Sequence, residues 1–552
     1  MGTDEEGQLG VVSGTAAQQW GLRTVPDPLV RRYRAEGWWT DESLGTMVAT
    51  GLRERAGAGF RVRSRTRPWA GTLGDLDDAA RALAGSLRAV GVGPGDVVVF
   101  QLPNWAEAGM TFWAAAYLGA VVVPVVHFYG AKEVDYILRV TDPDVVVTAD
   151  QFGHGDYLGT YAELLTGSEA RWLVVGDTPP DRLPPGAVPF TSMLDHEPIE
   201  GPAPVDPDAP ALIAFTSGTT RDPKGVVHSH RTIGFESRQL DYMFPLGGPP
   251  EIIGAPVGHF IGMVNAFLGP LLRERPVTLV DEWIPGEVLR LMLSEGLGVG
   301  GGSTYFLLSL LDHPDFSPEH LALMPFAGLG GSPVPVAVTQ RATALGIACF
   351  RSYGSTEHPS VTGCLLDDPE VKRCTTDGHV LPGVEIRLAD DGEIWSRGPD
   401  LCMGYTNPTL TAAAFDAEGW YRTGDIGLLD EDGYLSITDR ISDVIIRGGE
   451  NVSAQEIEEL LLGLDAVAEV AVVAEPDPRL GERAVALVRL RLGAEVPTLA
   501  QVQQHLAGVG LARQKWPESI YEMADFPRTA SGKVQKFRLR QQLRDGMRPG
   551  GP

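Results

Sequence analysis

The stretch from Gly109 to Phe128, GMTFWAAAYLGAVVVPVVHF, contains no Asp, Glu, Lys or Arg. An uncharged run of this length either spans a bilayer or lies in the middle of a large core. Gly119 interrupts it and Pro124 follows, so it reads as a buried helix passing into a buried strand. Its nearest charged flanks are Glu107 and Lys132, not the basic cluster that orients a spanning helix. A chain of 552 residues exceeds one ordinary core, which predicts two or more domains. Apolar content of 43% and charged content of 21% are globular values.

Around this segment, helix and strand patterns alternate. A helical run from Asp75 leads into the strand Asp96 to Phe100, and the alternation recurs through Glu133 to Ile137, Val145 to Val147 and Trp172 to Val175. Such alternation predicts an α/β layered fold with a largely parallel sheet. The Pro- and Asp-rich stretch from Pro179 to Pro210 reads as a surface connection between subdomains. From Gly378 to Tyr434 the chain turns Gly-rich with short strand signals, as in a small β-barrel-like subdomain. After Asp439 comes a compact α+β unit: a helix near Ser453 to Leu462, strands near Val467 to Val473 and Ala484 to Arg491, a helix near Leu499 to Leu506, and a basic tail. No internal repeat is evident.

Charge narrows the function classes. With 45 basic and 72 acidic residues the net charge is −27. A protein that coats nucleic acid or anionic membrane needs a basic surface, so neither is an expected partner. A small anionic ligand needs only one local basic loop. The cysteines Cys349, Cys364, Cys374 and Cys402 form no CxxC pair and no zinc spacing. The start, MGTDEEGQLG, lacks an apolar core and does not read as a signal peptide. A reducing cytoplasm is the simplest setting.

The most informative loop runs from Phe215 through Thr216-Ser217-Gly218-Thr219-Thr220-Arg221-Asp222-Pro223-Lys224 to Gly225. It follows an apolar strand and packs hydroxyls, glycines and a lysine into a turn. Glycines let backbone N–H groups crowd toward an anion, hydroxyls add donors, and Lys224 supplies charge. It is not a Walker A loop: counted from Gly218, that pattern requires Gly at Pro223 and Ser or Thr at Gly225. Gly296 to Gly301 matches GxGxxG nominally, but a helical segment, Val288 to Glu295, stands where a strand is required. No GxSxG elbow occurs, which argues against a serine hydrolase.

Four more motifs follow in order: Tyr353-Gly354-Ser355-Thr356-Glu357; Tyr421-Arg422-Thr423-Gly424-Asp425; Asp439-Arg440 with Gly448-Gly449-Glu450-Asn451; and Pro527-Arg528-Thr529-Ala530-Ser531-Gly532-Lys533. Together with the loop they resemble the adenylate-forming superfamily of acyl-CoA synthetases, adenylation domains and luciferases, over nearly the whole chain. The resemblance implies a large N-terminal domain (residues 1–440) of two layered α/β subdomains plus the small β-subdomain. It also implies a small mobile C-terminal α+β domain (residues 441–552). The implied reaction has two steps. A carboxylate attacks the α-phosphate of ATP with Mg²⁺, and a thiol, usually that of coenzyme A, then displaces AMP. Such chemistry needs positioning and charge neutralisation more than covalent help.

The resemblance assigns roles position by position. Thr216, Ser217, Gly218, Thr219, Thr220 and Lys224 would hold the β- and γ-phosphates. Glu357 would ligate Mg²⁺, a hard cation suited to carboxylate oxygen. Thr356 would bond the α-phosphate. Tyr353 and Gly354 would meet adenine, with Gly330, Gly331 and Ser332 along its edge. Asp425 would accept the ribose hydroxyls with Arg440 beside it. Lys533 would bridge the attacking carboxylate and the α-phosphate in the first step. His259 would shape the acyl pocket. The hinge maps to Ser442, and Gly448, Gly449 and Glu450 would line the pantetheine tunnel after the small domain rotates. Two departures stand out: Arg221 where the family usually has Gly, and Ser442 where it usually has Asp or Lys.

Phe260, Ile261 and Gly262 follow His259, and no acidic residue occurs before Leu271. Amino-acid-activating relatives place an Asp there, and an unpaired buried ammonium is costly, so an amino-acid substrate is not expected. Glycines Gly301, Gly302, Gly328 and Gly330 should leave room, with Phe260, Tyr305 and Phe306 as apolar walls. A medium-chain, alicyclic or aromatic acid fits. The segment RRYRAEGWWTDESL resembles cyclohexanecarboxylate-CoA ligases and aryl-acid AMP ligases. The distance from Glu357 to Gly378 leaves no room for the insertion of fatty acyl-AMP ligases. The expected acceptor is coenzyme A, the alternative a separate acyl carrier protein, and a non-catalytic adenylate-binding protein is disfavoured by the presence of Lys533, Glu357 and Asp425. From Ile441 onward 14 basic and 15 acidic residues leave −1, yet Pro527 to Arg548 carries seven basic residues and one acidic. The bulk charge thus hides a basic segment around Lys533.

Overall fold

The computed structural model describes residues 20–216, 223–243, 247–529 and 532–546. The uncharged segment resolves as expected. Ala106–Leu118 is a helix with nearly every residue buried, and Gly119 ends it in the left-handed conformation at φ +69°. That conformation costs glycine nothing and lets the chain turn at once into the strand Val121–Pro124. The indole of Trp113 donates to the carbonyl of Phe267 at 3.1 Å, so the one polar atom of this fully buried ring is satisfied. Among the described residues no helix is long and apolar enough to cross a membrane.

That strand sits inside an eight-stranded sheet. In spatial order its strands are Gly404–Tyr405, Lys224–Ser229, Pro210–Thr216, Val121–Pro124, Val97–Gln101, Val145–Ala149, Arg171–Val175 and Ala187–Pro189. The run from Pro210–Thr216 to Ala187–Pro189 is parallel, and the two strands beyond Pro210–Thr216 are antiparallel. The central strands are buried along their whole length, as parallel strands covered on both faces must be. The Leu73–Ala89 helix packs against the Ala106–Leu118 helix and begins with a capping box, in which Thr72 and Asp75 each bond the other's backbone N–H. The Pro179 to Pro210 stretch is more than a surface connection. It contributes the edge strand Ala187–Pro189 and buries Phe190 and Ile199 in the core, because an open parallel sheet needs its edge covered.

A second layer holds the strands Gly301–Gly302, Phe326–Leu329, Ala348–Tyr353, Thr362–Gly363 and His379–Val380. Leu289, Met292, Leu307, Leu310 and Val338 pack against it. The small β-subdomain is an open antiparallel sheet of Glu385–Leu388, Glu393–Arg397, Tyr421–Leu429 and Leu435–Arg440, whose outer strands do not pair with each other. The small C-terminal domain has its own sheet, in which the hairpin Val467–Asp477 and Gly481–Leu490 is joined by Ile445–Arg447, Glu450–Val452 and Ser519–Glu522. It has its own apolar clusters around Ile457 with Leu461, and around Phe526 with Leu539.

Candidate active site

Strand ends build the site. Thr216 is the last residue of its strand and Lys224 the first of the next, and the two face each other across an antiparallel ladder. The phosphate loop therefore joins two paired strands. Ser217, Gly218, Thr219, Thr220 and Arg221 lie outside the described residues. The same placement at a strand end recurs on the second layer: Tyr353 ends the strand Ala348–Tyr353, and the loop carrying Thr356 and Glu357 follows it.

One cavity of about 580 Å³ collects these ends. Thr216, Lys224, His259, Gly330, Gly331, Ser332, Tyr353, Gly354, Thr356, Glu357, Asp425, Arg440 and Lys533 all border it. Positions separated by more than 300 residues in sequence thus share one space. Gly448, Gly449 and Glu450 do not border it. They form the tip of the hairpin between Ile445–Arg447 and Glu450–Val452, tied back by the Gly448 N–H to the Leu480 carbonyl at 2.7 Å. In this arrangement the small domain presents Lys533, not the glycine loop, to the cavity.

At the nucleotide end, the Tyr353 hydroxyl donates to Asp425 Oδ2 at 2.8 Å, and Arg440 Nε lies 3.3 Å from Asp425 Oδ1. Burial and the Asp425 charge both push the Tyr353 hydroxyl well above its usual pKa, so it stays a donor. Beneath it, Arg351 makes a two-pronged buried pair with Asp377 Oδ1 at 3.0 and 2.8 Å, and Asp377 Oδ2 accepts from Ile437 N–H. Gly331 takes φ +72°, a conformation that requires glycine, and Gly354 runs so close to the Pro359 carbonyl that a Cβ would meet it at 1.8 Å. The Ser332 hydroxyl is buried with no protein partner among the described residues.

At the phosphate end, Glu357 Oε1 accepts from the Tyr405 hydroxyl at 2.7 Å, and the Lys224 ammonium sits 5.7 Å from the centre of the same ring. Tyr405 comes from the two-residue edge strand paired with Val226. It is a site residue the sequence did not reveal. His228 Nε2 donates to the Thr356 carbonyl at 2.8 Å while its Nδ1 lies 3.2 Å from the Thr232 hydroxyl. Burial lowers the His228 pKa to about 4, so the ring is a neutral strut under the Thr356–Glu357 loop. No group of three or more metal-ligating side chains exists among the described residues. A single carboxylate suits Mg²⁺, which is held by one or two carboxylates together with substrate phosphates.

At the acyl end, Phe260, Ile261, Leu240, Met243, Val299 and Phe306 give apolar walls. His259 has a buried Nδ1 without a partner among the described residues, and burial lowers its pKa to about 4. Tyr305 is not a wall. It turns toward the small domain, where the Arg528 guanidinium stacks 5.2 Å from its ring and Gly532 packs on its Cβ. The glycines Gly301, Gly302, Gly328 and Gly330 all border the cavity. Gly301 and Gly328 pair in register on adjacent strands, and a Cβ on Gly301 would strike the Gly328 carbonyl at 2.1 Å. Two carboxyl groups, Glu236 and Glu251, also border the cavity, and the sequence did not reveal them.

Lys533 reaches the nucleotide end from the small domain. Its ammonium is held below the usual lysine pKa, first by burial and then by Arg440, while Asp425 and Asp443 pull the other way. None of the ion pairs among the described residues uses Lys533. Its neighbours Lys536 and Arg540 are committed to Glu458 and Asp443 at 2.7 and 2.8 Å. The uncommitted Lys533, the Asp425 carboxylate, Thr216 and Lys224 border one cavity, an arrangement that can align a carboxylate with a nucleotide phosphate.

Comparison with known proteins gives the family. The AMP-binding enzyme family matches residues 69–406, and the AMP-binding enzyme C-terminal domain matches residues 456–533. A medium-chain fatty-acid–CoA ligase of Escherichia coli (strain K12) is 32% identical over 526 residues, covering 93% of this chain and 92% of its own. A 3-[(3aS,4S,7aS)-7a-methyl-1,5-dioxo-octahydro-1H-inden-4-yl]propanoyl:CoA ligase of Rhodococcus jostii (strain RHA1) is 35% identical over 494 residues, covering 85% and 93%. Among solved structures, ATP-bound MatB from Rhodopseudomonas palustris superposes with a TM-score of 0.81 at 27% identity, covering 92% of this chain and all of that one. The chain belongs to the AMP-binding enzyme family of adenylate-forming enzymes.

Proposed function

We propose that this chain is an ATP-dependent carboxylic acid:CoA ligase for an acid with an apolar medium-chain, alicyclic or aromatic skeleton. The observation that carries it is the single cavity running from Asp425 and Thr216 to the apolar walls at Phe260 and Ile261, with Lys533 over its nucleotide end. In the first half-reaction a carboxylate oxygen attacks the α-phosphorus of ATP. The bond to pyrophosphate breaks, leaving an acyl-adenylate. Thr216 and Lys224 neutralise the departing pyrophosphate, Asp425 and Tyr353 hold the nucleoside, and Lys533 offsets charge on the carboxylate and α-phosphate. Mg²⁺, when bound through Glu357, would neutralise phosphate charge.

In the second half-reaction the thiol of coenzyme A attacks the acyl carbonyl carbon. The bond to AMP breaks and the thiol proton is released. Residues 441–552 act as the lid that turns about Ser442, bringing Gly448, Gly449 and Glu450 to the thiol's path. The E. coli relative is named for medium-chain fatty acids and the Rhodococcus one for a substituted bicyclic propanoate, which supports a mid-sized, mainly hydrocarbon acid here. The reaction belongs in the cytoplasm, consistent with four cysteines that are all free and buried. The test is pyrophosphate release with a panel of acids, followed by mass detection of acyl-CoA. Acyl-AMP that forms but transfers only to a carrier protein would replace coenzyme A as acceptor. No pyrophosphate release with any such acid would reject the substrate class.

A further inference from the structure

Glu236 is the least expected residue in the acyl pocket. It sits on the helix His230–Met243, and the spacing of Glu236, Leu240 and Met243 puts all three on the face that borders the cavity. Only 1% of Glu236 is exposed. Its Oε1 accepts from the Ser360 hydroxyl at 3.1 Å. Its Oε2 is buried with no partner among the described residues. Glu251, which also borders the cavity, has a cation at 3.5 Å in Arg275, whereas Glu236 takes part in no ion pair among the described residues. The charged groups around it are acidic or already engaged. Asp400 is completely buried, takes the Ser360 N–H at 3.3 Å, and has His358 Nε2 3.2 Å from its other oxygen.

A buried carboxyl with no cation and an acidic neighbour is held neutral. Burial first and Asp400 second push Glu236 well above the usual carboxylate range, against a smaller pull from Ser360. With Oε1 accepting from Ser360, the proton resides on Oε2, the unpartnered atom. The pocket therefore contains an O–H donor without an acceptor, in walls that are otherwise mainly hydrocarbon. Buried donors are costly to leave unpaired, and a pocket built around one discriminates for the ligand that pairs it.

We propose that Glu236 is a specificity-determining residue that donates a hydrogen bond to an oxygen acceptor, a ketone or hydroxyl carried on the acid's skeleton away from its carboxylate. This rests on the substrate class proposed above and narrows it from a plain hydrocarbon acid to an oxygenated one.

The test compares matched pairs on the full-length enzyme: octanoic, cyclohexanecarboxylic and cyclohexylpropanoic acids against their oxo-substituted counterparts, with a ketone in place of each CH₂ from the fourth carbon outward. The readout is kcat/KM for pyrophosphate release. In the parent enzyme one oxo position should exceed its plain counterpart by roughly 10- to 100-fold. In Glu236→Leu that ratio should fall to near one, and in Glu236→Gln, which keeps a donor, part of it should survive. The parent comparison needs no variant to fold, and ATP binding reports on the integrity of each variant. Turnover of the panel with no oxo preference in the parent, or a preference unaltered in Glu236→Leu, overturns the role of Glu236 alone. A preference for amino-substituted acids also overturns it, because that requires an ionised Glu236. Failure of every acid to release pyrophosphate rejects the substrate class, and this inference with it.

Discussion

Replacing Lys533 by alanine should separate the two half-reactions. Lys533 borders the nucleotide end of the cavity, in surroundings dry enough to depress its pKa, and no ion pair among the described residues commits its charge. Two independent routes give the magnitude. A unit charge about 4 Å from developing negative charge, at an effective dielectric of about 20, contributes about 4 kcal/mol. Removal of one preorganised donor from a site of developing charge costs about 3–4 kcal/mol in measured cases. At about 1.36 kcal/mol per decade, both correspond to a loss of roughly 100- to 1000-fold in adenylation. The assay is single-turnover pyrophosphate release with acid, ATP and Mg²⁺, run beside CoA transfer from supplied acyl-AMP. Only the first rate should collapse. The reasoning would be refuted by adenylation at the parent rate, or by equal losses in both assays, since the second outcome would make Lys533 a structural residue.

Three further expectations test other parts of the site. Gly532 takes φ +81°, and a Cβ there would lie 2.9 Å from that of Tyr305, so Gly532→Ala should hinder seating of the small domain. Adenylation should fall about tenfold or more while CoA transfer from acyl-AMP is less affected, and parallel losses in both would rule out a seating effect. Tyr405→Phe removes the donor to Glu357 and should raise the Mg²⁺ concentration needed for half-maximal pyrophosphate release several-fold, roughly in line with the loss of a charge-assisted hydrogen bond. An unchanged Mg²⁺ dependence would count against it. His228 titrates at about 4 when folded against 6.5 when unfolded, so its contribution to stability is complete above pH 6.5 and is lost as pH falls toward 4. About 2 kcal/mol should be gone by pH 5, and urea unfolding of His228→Gln at pH 7.5 and pH 5 should show a correspondingly smaller loss. A loss equal to the parent's would mean that His228 does not titrate in this way.

Local chemistry made much of this molecule legible. Gly119 and Pro124 mark where the uncharged segment changes from helix to strand, because both act through backbone dihedrals. Lys224, Asp425, Arg440 and Lys533, which the structure gathers at one cavity, each lie in a short motif whose residue types suit a nucleotide. Tyr405 was not, since its two-residue strand is defined only by pairing with Val226, far away in sequence. Glu236 was hidden for a related reason. On an amphipathic helix it reads as a solvent-facing charge, and its burial depends on contacts far away in sequence, Ser360 lying 124 residues later. Tyr305 was misread because residue type does not say whether a side chain faces a pocket or a second domain. The edge strand Ala187–Pro189 lay within a proline-rich stretch whose composition signals a linker.

The antiparallel pairing of Thr216 with Lys224 has a kinetic consequence. The strand that begins at Lys224 continues to Ser229, so the chain leaving the phosphate loop does not enter a helix whose macrodipole would add a permanent field at the anion. In the proposed reaction the hold on pyrophosphate then rests on side chains such as Lys224 and on Mg²⁺, which the anion can exchange for water. In the proposed two-step reaction, the lack of a helix dipole at this strand end favours release of pyrophosphate after the first step.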